Sequence, residues 1–144
     1  MKLIEINCNN YTCVGCNGRG CSKCKQTGFF NAPVSINQIY SGGRNTYRRF
    51  MTVKGKSWKE HIKESVFFEV FHGKNCYKSE PTHFELWLEW GFPDKRKRDQ
   101  DNYIKPVKDA LSGIIWADDN QVYIEHSKKA VTGKWSLIVK WRVV

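Results

Sequence analysis

Residues 82–92, with the sequence THFELWLEWGF, alternate strictly between two sets of side chains. One set is large and apolar, namely Phe84, Leu86, Leu88 and Trp90, while Glu85, Trp87 and Glu89 form the other. A period of two over this length predicts a β-strand with one buried face. The strand is followed directly by Pro93 and a run of basic residues, which is the most highly charged segment of the chain.

Residues 57–72 predict an amphipathic helix. Apolar side chains recur there every four positions, at Trp58, Ile62, Val66 and Val70. Ser57 is expected to cap the helix, with Glu60 at the capping-box position, and Gly73 is expected to end it. The aromatic stripe of this helix is expected to lie in the core.

Residues 101–112, DNYIKPVKDALS, predict a second helix with an apolar stripe. Asp101 is a suitable cap for its first turn. Pro106 is best tolerated in a first turn, so a start near Lys105 is the alternative.

The last eleven residues, KWSLIVKWRVV, alternate like residues 82–92 and predict a second strand with a buried face. Shorter strands are expected at residues 2–6 and near 121–126. Helices that alternate with strands in this order favour an α+β fold, with a mixed sheet and helices packed on one face. We expect an N-terminal segment with a small four-cysteine zinc knuckle over residues 1–30 and a main domain over residues 31–144.

Composition and charge favour a DNA-binding globule. Hydrophobic residues make up 40% of the chain and aromatic residues 14%, which is typical of a packed core. The net charge of +10 and the pI of about 9.4 indicate a nucleic acid as the first candidate partner and an anionic membrane surface as the second. No apolar run is long enough to span a membrane, and the N-terminus lacks the apolar region of a signal peptide. We therefore expect a cytoplasmic protein.

Four cysteines form two CxxC pairs, Cys13 with Cys16 and Cys21 with Cys24. This spacing is typical of a tetrahedral Zn²⁺ site in a reducing compartment. The phrase CxxCxGxG resembles the cysteine-rich repeats of DnaJ-type chaperones, and that resemblance implies zinc binding without chaperone function. A structural staple is one interpretation, and a DNA contact supported by nearby Arg19, Lys23 and Lys25 is another. Two copies of the chain sharing ligands across a dimer is a third.

A second group of candidate metal ligands lies beside the basic run Lys95–Arg98. Asp99 and Asp101 are two residues apart and project to one side of an extended chain. The Asp118–Asp119 pair is expected to fold back beside the end of the strand predicted over residues 82–92. The carboxylates brought together there could bind one or two Mg²⁺ ions for phosphodiester cleavage. Lys105 shares the helical face of Asp101 and can stabilise charge in the transition state, while Asn102 can bind a phosphate or orient a carboxylate. The structural alternatives are an i,i+4 ladder of ion pairs that includes Asp109 and a simple turn at Asp118–Asp119.

The segment that precedes the first predicted helix is a candidate DNA-contacting arm. Arg44, Arg48 and Arg49 alternate with aromatic residues that can stack on bases. The alternative is a solvated basic loop over the edge of an aromatic core.

The run KRKRDQDNYIKPVKDAL, followed by ADDNQV, resembles the signature of the RusA family of Holliday-junction resolvases, which reads DxDNxxKxxxDAL and then DDxQV after basic residues. Upstream, PVSINQIY resembles that family's PxSxNxxY segment, whose Asn corresponds to Asn37, a further candidate DNA contact. The resemblance covers about residue 30 to the C-terminus. The spacing from DAL to DD is one residue shorter than in the best-known member, and the zinc-knuckle extension is not part of the usual pattern.

The resemblance implies a homodimeric α+β hydrolase that resolves four-way DNA junctions in recombination and repair, by paired nicks that depend on Mg²⁺ or Mn²⁺. By position, the family's essential carboxylates fall on Asp99, Asp101 and Asp119 and its lysine on Lys105, while Asp118 is the other member of the acidic pair. Resolvases of this size are common in phages and prophages, which suggests such a source. The alternatives are a nuclease that also cuts flaps and forks, and a zinc-containing DNA-binding protein without catalytic activity.

Overall fold

The computed structural model describes residues 1–42, 49–71 and 82–144. Within these ranges the chain forms eight strands and three α-helices, which are numbered in chain order. The strands are β1 (Lys2–Asn7), β2 (Tyr11–Thr12), β3 (Phe29–Phe30), β4 (Tyr40–Ser41), β5 (Phe50–Met51), β6 (Phe84–Phe92), β7 (Val122–Val131) and β8 (Ser136–Val143). The helices are α1 (Ile36–Ile39), α2 (Val53–Phe71) and α3 (Asp101–Leu111).

Four of the strands form a mixed sheet in the order β1-β8-β6-β7. β8 is antiparallel to both of its neighbours, and β7 is parallel to β6. Two rows of buried apolar side chains cross three strands of this sheet, Ile6–Leu137–Trp90 and Ile4–Val139–Leu88. The α+β class and the mixed sheet predicted from the alternation are therefore confirmed.

The core lies between this sheet and the helices. Trp58, Ile62 and Val66 of α2 are fully buried, as their four-residue spacing predicts. Tyr103 of α3 contacts the ring of Trp90 on β6. Each large side chain removed from water in this way contributes about 1.5–3 kcal/mol to stability.

The start of α2 differs from the predicted one, whereas the start of α3 agrees with it. α2 begins at Val53, four residues before the expected cap Ser57, which lies inside the helix and donates its hydroxyl to the carbonyl of Val53 at 2.8 Å. The expected end of this helix at Gly73 lies outside the described residues. α3 begins at Asp101, as predicted for residues 101–112, and the alternative start near Lys105 is wrong. Gln100, and not the expected Asp101, occupies the cap position. Its inner Pro106 is tolerated because the side chain is buried, where packing stabilises the helix against the lost hydrogen bond.

The strands β1 and β7 both end later in the chain than the sequence predicts. β1 belongs to the same sheet as β8, so the N-terminal segment contributes a strand to the main domain. The domain division at residue 30 stays a prediction. β7 runs to Val131 rather than residue 126, because it pairs with β6 along the whole length of that strand. Among the described residues, no helix is long and apolar enough to cross a membrane.

Candidate active site and metal centre

Lys105 is the centre of a polar cluster on the exposed side of α3. Its Nζ lies 3.1 Å from Oδ1 of Asp109, one helical turn away, and 3.3 Å from Oδ2 of Asp119, which precedes β7. The hydrogen bond to Asp109, followed by that to Asp119, raises the pKa of Lys105 above its usual range. Lys105 is therefore a cation at neutral pH, suited to stabilise negative charge and unsuited to remove a proton.

Asp99 and Asp101 lie at the start of α3, and both are exposed. Oδ1 of Asp99 accepts a hydrogen bond from the backbone N–H of Asp101 at 3.2 Å, which fixes the first turn of the helix. Asp101 precedes Lys105 by four residues, so the two side chains share one face of α3. Both carboxylates remain accessible to a ligand from solvent.

The adjacent aspartates Asp118 and Asp119 have different surroundings. Asp118 accepts a hydrogen bond from the N–H of Asn120 at 3.0 Å and caps the short 3-10 turn Asp119–Gln121. The Gln121 side chain completes the cap by accepting the N–H of Asp118. Asp119 instead directs its carboxylate at Lys105.

The strand register modifies the expected position of the Asp118–Asp119 pair. These residues precede Val122, which pairs with Phe84 at the start of β6, so they do not lie beside the end of that strand. The segment that follows β6, residues 93–100, reverses direction and leads α3 back toward Asp118 and Asp119. Gln100 donates to the hydroxyl of Ser127 on β7, and Ser127 is opposite Leu88 in the middle of β6. We refer to Asp99 with Asp101, and to Asp118 with Asp119, as the two acidic motifs. Because the chain reverses direction after β6, α3 connects them.

The aspartates do not form a compact cluster. In the part of the chain that the structure describes, the only group of three or more potential metal ligands with ligand atoms within 4.8 Å of one another consists of cysteines. Carboxylates repel one another, and Mg²⁺ is usually held by one or two carboxylates together with water and substrate phosphate. Exposed Asp99 and Asp101, together with half-buried Asp119, offer oxygen ligands of the kind that a partly hydrated ion uses.

The connection between β6 and α3, residues 93–100, is referred to as the basic loop. Lys95, Arg96 and Lys97 are exposed, as expected for residues that contact DNA. They line a groove of about 450 Å³ together with the end of β7. The loop therefore presents a cationic surface that leads toward Asp99 and Asp101.

Arg98 has a structural position within the basic loop. Its guanidinium binds the carboxylate of Asp94 through two hydrogen bonds, of 2.6 and 3.2 Å, and lies 4.9 Å from the ring centre of Trp135. Only 16% of its side chain is exposed. The hydrogen bond from Arg98, followed by that from the N–H of Arg96, lowers the pKa of Asp94 to about 2. In this conformation Arg98 shapes the loop and is less exposed than its three neighbours.

The other candidate DNA contacts are dispersed. Asn37 is exposed on the short helix α1, which packs against α3. Asn102 is half-buried in the first turn of α3, and Arg49 is exposed beside β5. Arg44 and Arg48 lie outside the described residues.

The four N-terminal cysteines form the compact metal centre, and we refer to residues 11–30 as the cysteine knuckle. The Sγ atoms of Cys13 and Cys21 are 3.9 Å apart, and Cys24 Sγ lies 3.8 Å from those of Cys16 and Cys21. Zn–S bonds of about 2.3 Å in a tetrahedron separate the sulfur atoms by about 3.8 Å. One Zn²⁺ therefore fits all four cysteines within one chain.

Backbone N–H groups prepare these sulfur atoms to bind a cation. Gly20 donates to Cys16 Sγ at 3.2 Å, and Gly28 donates to Cys24 Sγ at the same distance. Burial raises the pKa of Cys24, but hydrogen bonds from the N–H groups of Cys21 and Gly28, together with those from the Cys21 and Cys16 side chains, lower it below its ordinary value. Such hydrogen bonds favour the thiolate, which is the form that binds zinc.

The cysteine knuckle is attached to α2. The N–H of Val14 donates to the Ser57 hydroxyl at 3.0 Å, and the ring of Tyr11 contacts Trp58 and stacks on His61. Sequence reasoning placed Ser57 at a helix cap and missed this role. It also missed Asp94, although the spacing of Asp94 and Arg98, with opposite charges four residues apart, was a usable signal.

Comparison with known proteins supplies the family. The family described as Endodeoxyribonuclease RusA matches residues 32–141, which include α3, both acidic motifs and most of the sheet. No curated protein matches the chain. The match begins at residue 32, just after the cysteine knuckle, so the knuckle lies outside the matched residues. Since the family covers most of its length, this chain belongs to the RusA family of endodeoxyribonucleases.

Proposed function

We propose that this protein is an Mg²⁺-dependent endodeoxyribonuclease that resolves four-way DNA junctions by paired nicks. The observation that carries the proposal is the ion pair between Lys105 and Asp119, which joins the DxDN and DD motifs in space. A family of endodeoxyribonucleases matches the same residues. The arrangement supplies cation ligands, a fixed positive charge and a basic DNA surface within one connected region.

Three carboxylates would hold the catalytic cation, namely Asp99, Asp101 and Asp119. Their carboxylate oxygen atoms suit Mg²⁺ or Mn²⁺, which prefer hard ligands. When bound, the ion supplies a polarised water and neutralises charge at the scissile phosphate. Asp118 is assigned to the turn that orients Asp119, because its own carboxylate caps that turn.

Lys105 is assigned to charge stabilisation and to the orientation of Asp119. Its two carboxylate partners keep it protonated, so it can donate hydrogen bonds to a phosphate oxygen that gains charge. Asp109 has a positioning role, because it holds the lysine from the opposite side at 3.1 Å.

The basic loop is assigned to the DNA backbone. Lys95, Arg96 and Lys97 are exposed directly before Asp99, so phosphates bound there pass next to the carboxylates. Contacts of this kind are independent of base sequence and weaken steeply with salt. Asn37, Arg49 and Asn102 are further candidate contacts on the surrounding elements.

A homodimer fits the proposed reaction. A four-way junction has two-fold symmetry, and two symmetric nicks require two active sites. The protein would act in the cytoplasm of a bacterial host cell, and a phage or prophage source accords with its small size.

The decisive experiment is incubation of the zinc-loaded protein with end-labelled DNA in the presence and absence of Mg²⁺. The substrates are a four-way junction, a linear duplex of the same sequence and a flap. A chelator is left out of the control, because it would also remove zinc. We expect symmetric nicks in the junction that appear only with Mg²⁺.

Two results would replace this proposal. Equal cutting of the flap would favour a nuclease that acts on branched DNA in general. Binding of the junction without nicks in either Mg²⁺ or Mn²⁺ would favour a DNA-binding protein without catalytic activity.

A further inference from the structure

A groove of about 500 Å³ lies between the cysteine knuckle and the first turn of α2. Three lysines line it, Lys23 and Lys25 from the knuckle and Lys54 from the helix. The lining also includes the amide side chains of Asn10 and Asn31 and the exposed ring of Phe29, which could contact a ligand. Except for Lys54, these residues precede the segment that matches the RusA family.

The sequence around the groove has no acidic residue. Between Glu5 and Glu60 there is neither Asp nor Glu, although both are common elsewhere in the chain. Among the residues of this span that the structure describes, seven are basic, namely Arg19, Lys23, Lys25, Arg49, Lys54, Lys56 and Lys59. A zinc ion with four thiolate ligands carries a net negative charge, but these cations outweigh it. The surface therefore attracts a polyanion.

The groove lysines have no carboxylate partner among residues 1–42, 49–71 and 82–144. The ion pairs formed among the described residues include none with Lys23, Lys25 or Lys54. Lys54 is half-buried, and this burial lowers its pKa. A cation withdrawn from water without a partner is unfavourable, and an anionic ligand would offset that cost.

The groove is preformed because its two walls are joined by fixed contacts. The hydrogen bond from Val14 to Ser57 and the stack of Tyr11 on His61 hold the knuckle against α2. Across the cysteine knuckle, β2 pairs with β3 and keeps Phe29 at the rim with 43% of its surface exposed. A rigid surface of this kind binds a ligand without a large loss of conformational entropy.

We propose that this groove is a second DNA-binding site, in which the three lysines hold the sugar–phosphate backbone and Phe29 stacks on an unpaired base. The inference rests on the proposed function, because it extends the DNA surface of the same enzyme beyond the family domain. A site of this composition resembles other single-strand surfaces, where cations follow the backbone and an aromatic ring accepts a base.

The test compares two double variants of the full-length zinc-loaded protein, each with two positive charges removed. Lys23→Gln with Lys54→Gln removes groove lysines, while Lys56→Gln with Lys59→Gln removes lysines of α2 that do not line the groove. Binding to a fluorescent four-way junction is measured by anisotropy without Mg²⁺, over a series of salt concentrations. Zinc content is measured for each protein, so that a variant that loses the fold of the knuckle is recognised.

We expect the groove variant to bind about tenfold more weakly, with a salt slope that is reduced by about 2, since each phosphate contact contributes about 0.9 to that slope. The control variant should keep most of the affinity and slope. Equal behaviour of the two double variants, both with full zinc content, would overturn the proposal. The wild-type nicking assay with Mg²⁺ tests the proposed function separately, because DNA binding through the groove does not require cleavage.

Phe29→Leu tests the stacking contact. It keeps an apolar side chain at the rim but removes the aromatic face, so affinity for a single strand should fall several-fold while affinity for a linear duplex should stay the same. A parallel change for both ligands, or no change for either, would exclude base stacking by Phe29.

Discussion

Lys105 Nζ lies 3.3 Å from Asp119 Oδ2, although fourteen residues separate the two positions in the chain. The contact links the middle of α3 to the turn before β7 and joins the two acidic motifs. Asp119 is therefore oriented by a cation, while its neighbour Asp118 is occupied with the backbone of the turn. Two adjacent residues of the same type thus have separable roles.

The same substitution at Asp118 and at Asp119 can therefore test whether the two carboxylates have different roles. We expect Asp119→Asn to lower the nicking rate by about a hundredfold or more, because it removes a carboxylate ligand and the partner of Lys105. Asp118→Asn should cost less than about tenfold, since the amide oxygen can still cap the turn. Single-turnover nicking of a labelled junction measures both rates.

Junction binding provides the control for these variants. Affinity should be kept or increased in Asp119→Asn, because a negative charge is removed beside bound phosphates. If Asp118→Asn is the more damaging change, the two roles are reversed and the assignment of Asp119 is wrong.

Lys105 offers a second test on α3. Lys105→Met is expected to lower the nicking rate by about 10²–10³-fold, because the charge that it supplies is needed mainly in the transition state. Lys108→Met is the control on the same helix, since Lys108 pairs with Glu125 of β7, away from Asp119. Full activity of Lys105→Met at saturating Mg²⁺ would exclude the proposed role.

The pH dependence of this role has a defined sign. The pKa of Lys105 is raised, so its positive charge is complete at neutral pH and is lost only as the pH rises through that raised value. The wild-type rate should therefore not fall between about pH 7 and 9 through loss of this charge. A lysine that acted as a base would require a lowered pKa and would give a rate that rises with pH in this range.

Two strands, β6 and β8, and the helix α2 were predictable because their apolar periods match the observed burial. The short helix α1 was not, because its four residues are too few to show an apolar period. The stripe at Trp58, Ile62 and Val66 indicated the core face of α2, and the alternation in residues 82–92 indicated β6. The start of α2 was less predictable, because Ser57 satisfies a local capping rule but is bound to Val14, which is distant in sequence. Local rules do not include such tertiary contacts.

The candidate site was predictable in composition but not in geometry. The types and spacing of Asp99, Asp101 and Lys105 indicated cation chemistry on one helical face. The register of β7 against β6 was not encoded locally, so the position of the Asp118–Asp119 pair differed from the expected one. The cysteine spacing left open whether one chain supplies all four ligands, and the distances between sulfur atoms show that it can.

Asp94 should make stability depend on pH through the basic loop. Arg98 lowers the pKa of Asp94 from its ordinary 3.8 to about 2, so the stabilising ion pair is complete above the ordinary value. The difference in stability between wild type and Asp94→Asn should be constant from about pH 5 to 7 and should shrink as the pH falls toward 2. Urea unfolding of both proteins at each pH measures this difference in stability. Zinc release at low pH affects both proteins, so it cancels in the difference.

Removal of the partner checks the cause of this effect. In an Arg98→Met background, the Asp94→Asn change should have little effect on stability at any pH, because Arg98 makes the largest contribution to the lowered pKa. An undiminished effect in that background would mean that Arg96 or the backbone stabilises the carboxylate instead.

Two glycines with nearly the same backbone conformation test whether the cysteine knuckle requires close packing. Gly28 has φ +78° and Gly113 has φ +82°, a region that disfavours residues with a Cβ. A Cβ at Gly28 would lie 2.1 Å from the carbonyl oxygen of Gly18, whereas a Cβ at Gly113 would have no atom of the described residues within 4 Å. Gly113→Ala should therefore cost about 1–2 kcal/mol from conformation alone.

Gly28→Ala should cost more than about 3 kcal/mol, because the backbone of the knuckle must also move. That movement would disturb the hydrogen bond from Gly28 to Cys24 Sγ, so the purified variant should contain less zinc than wild type. Gly113→Ala should retain full zinc, since the added methyl group displaces no neighbour in the described structure. Urea unfolding and metal analysis measure these effects, and equal zinc content in both variants would show that the cluster does not depend on the close contact between Gly18 and Gly28.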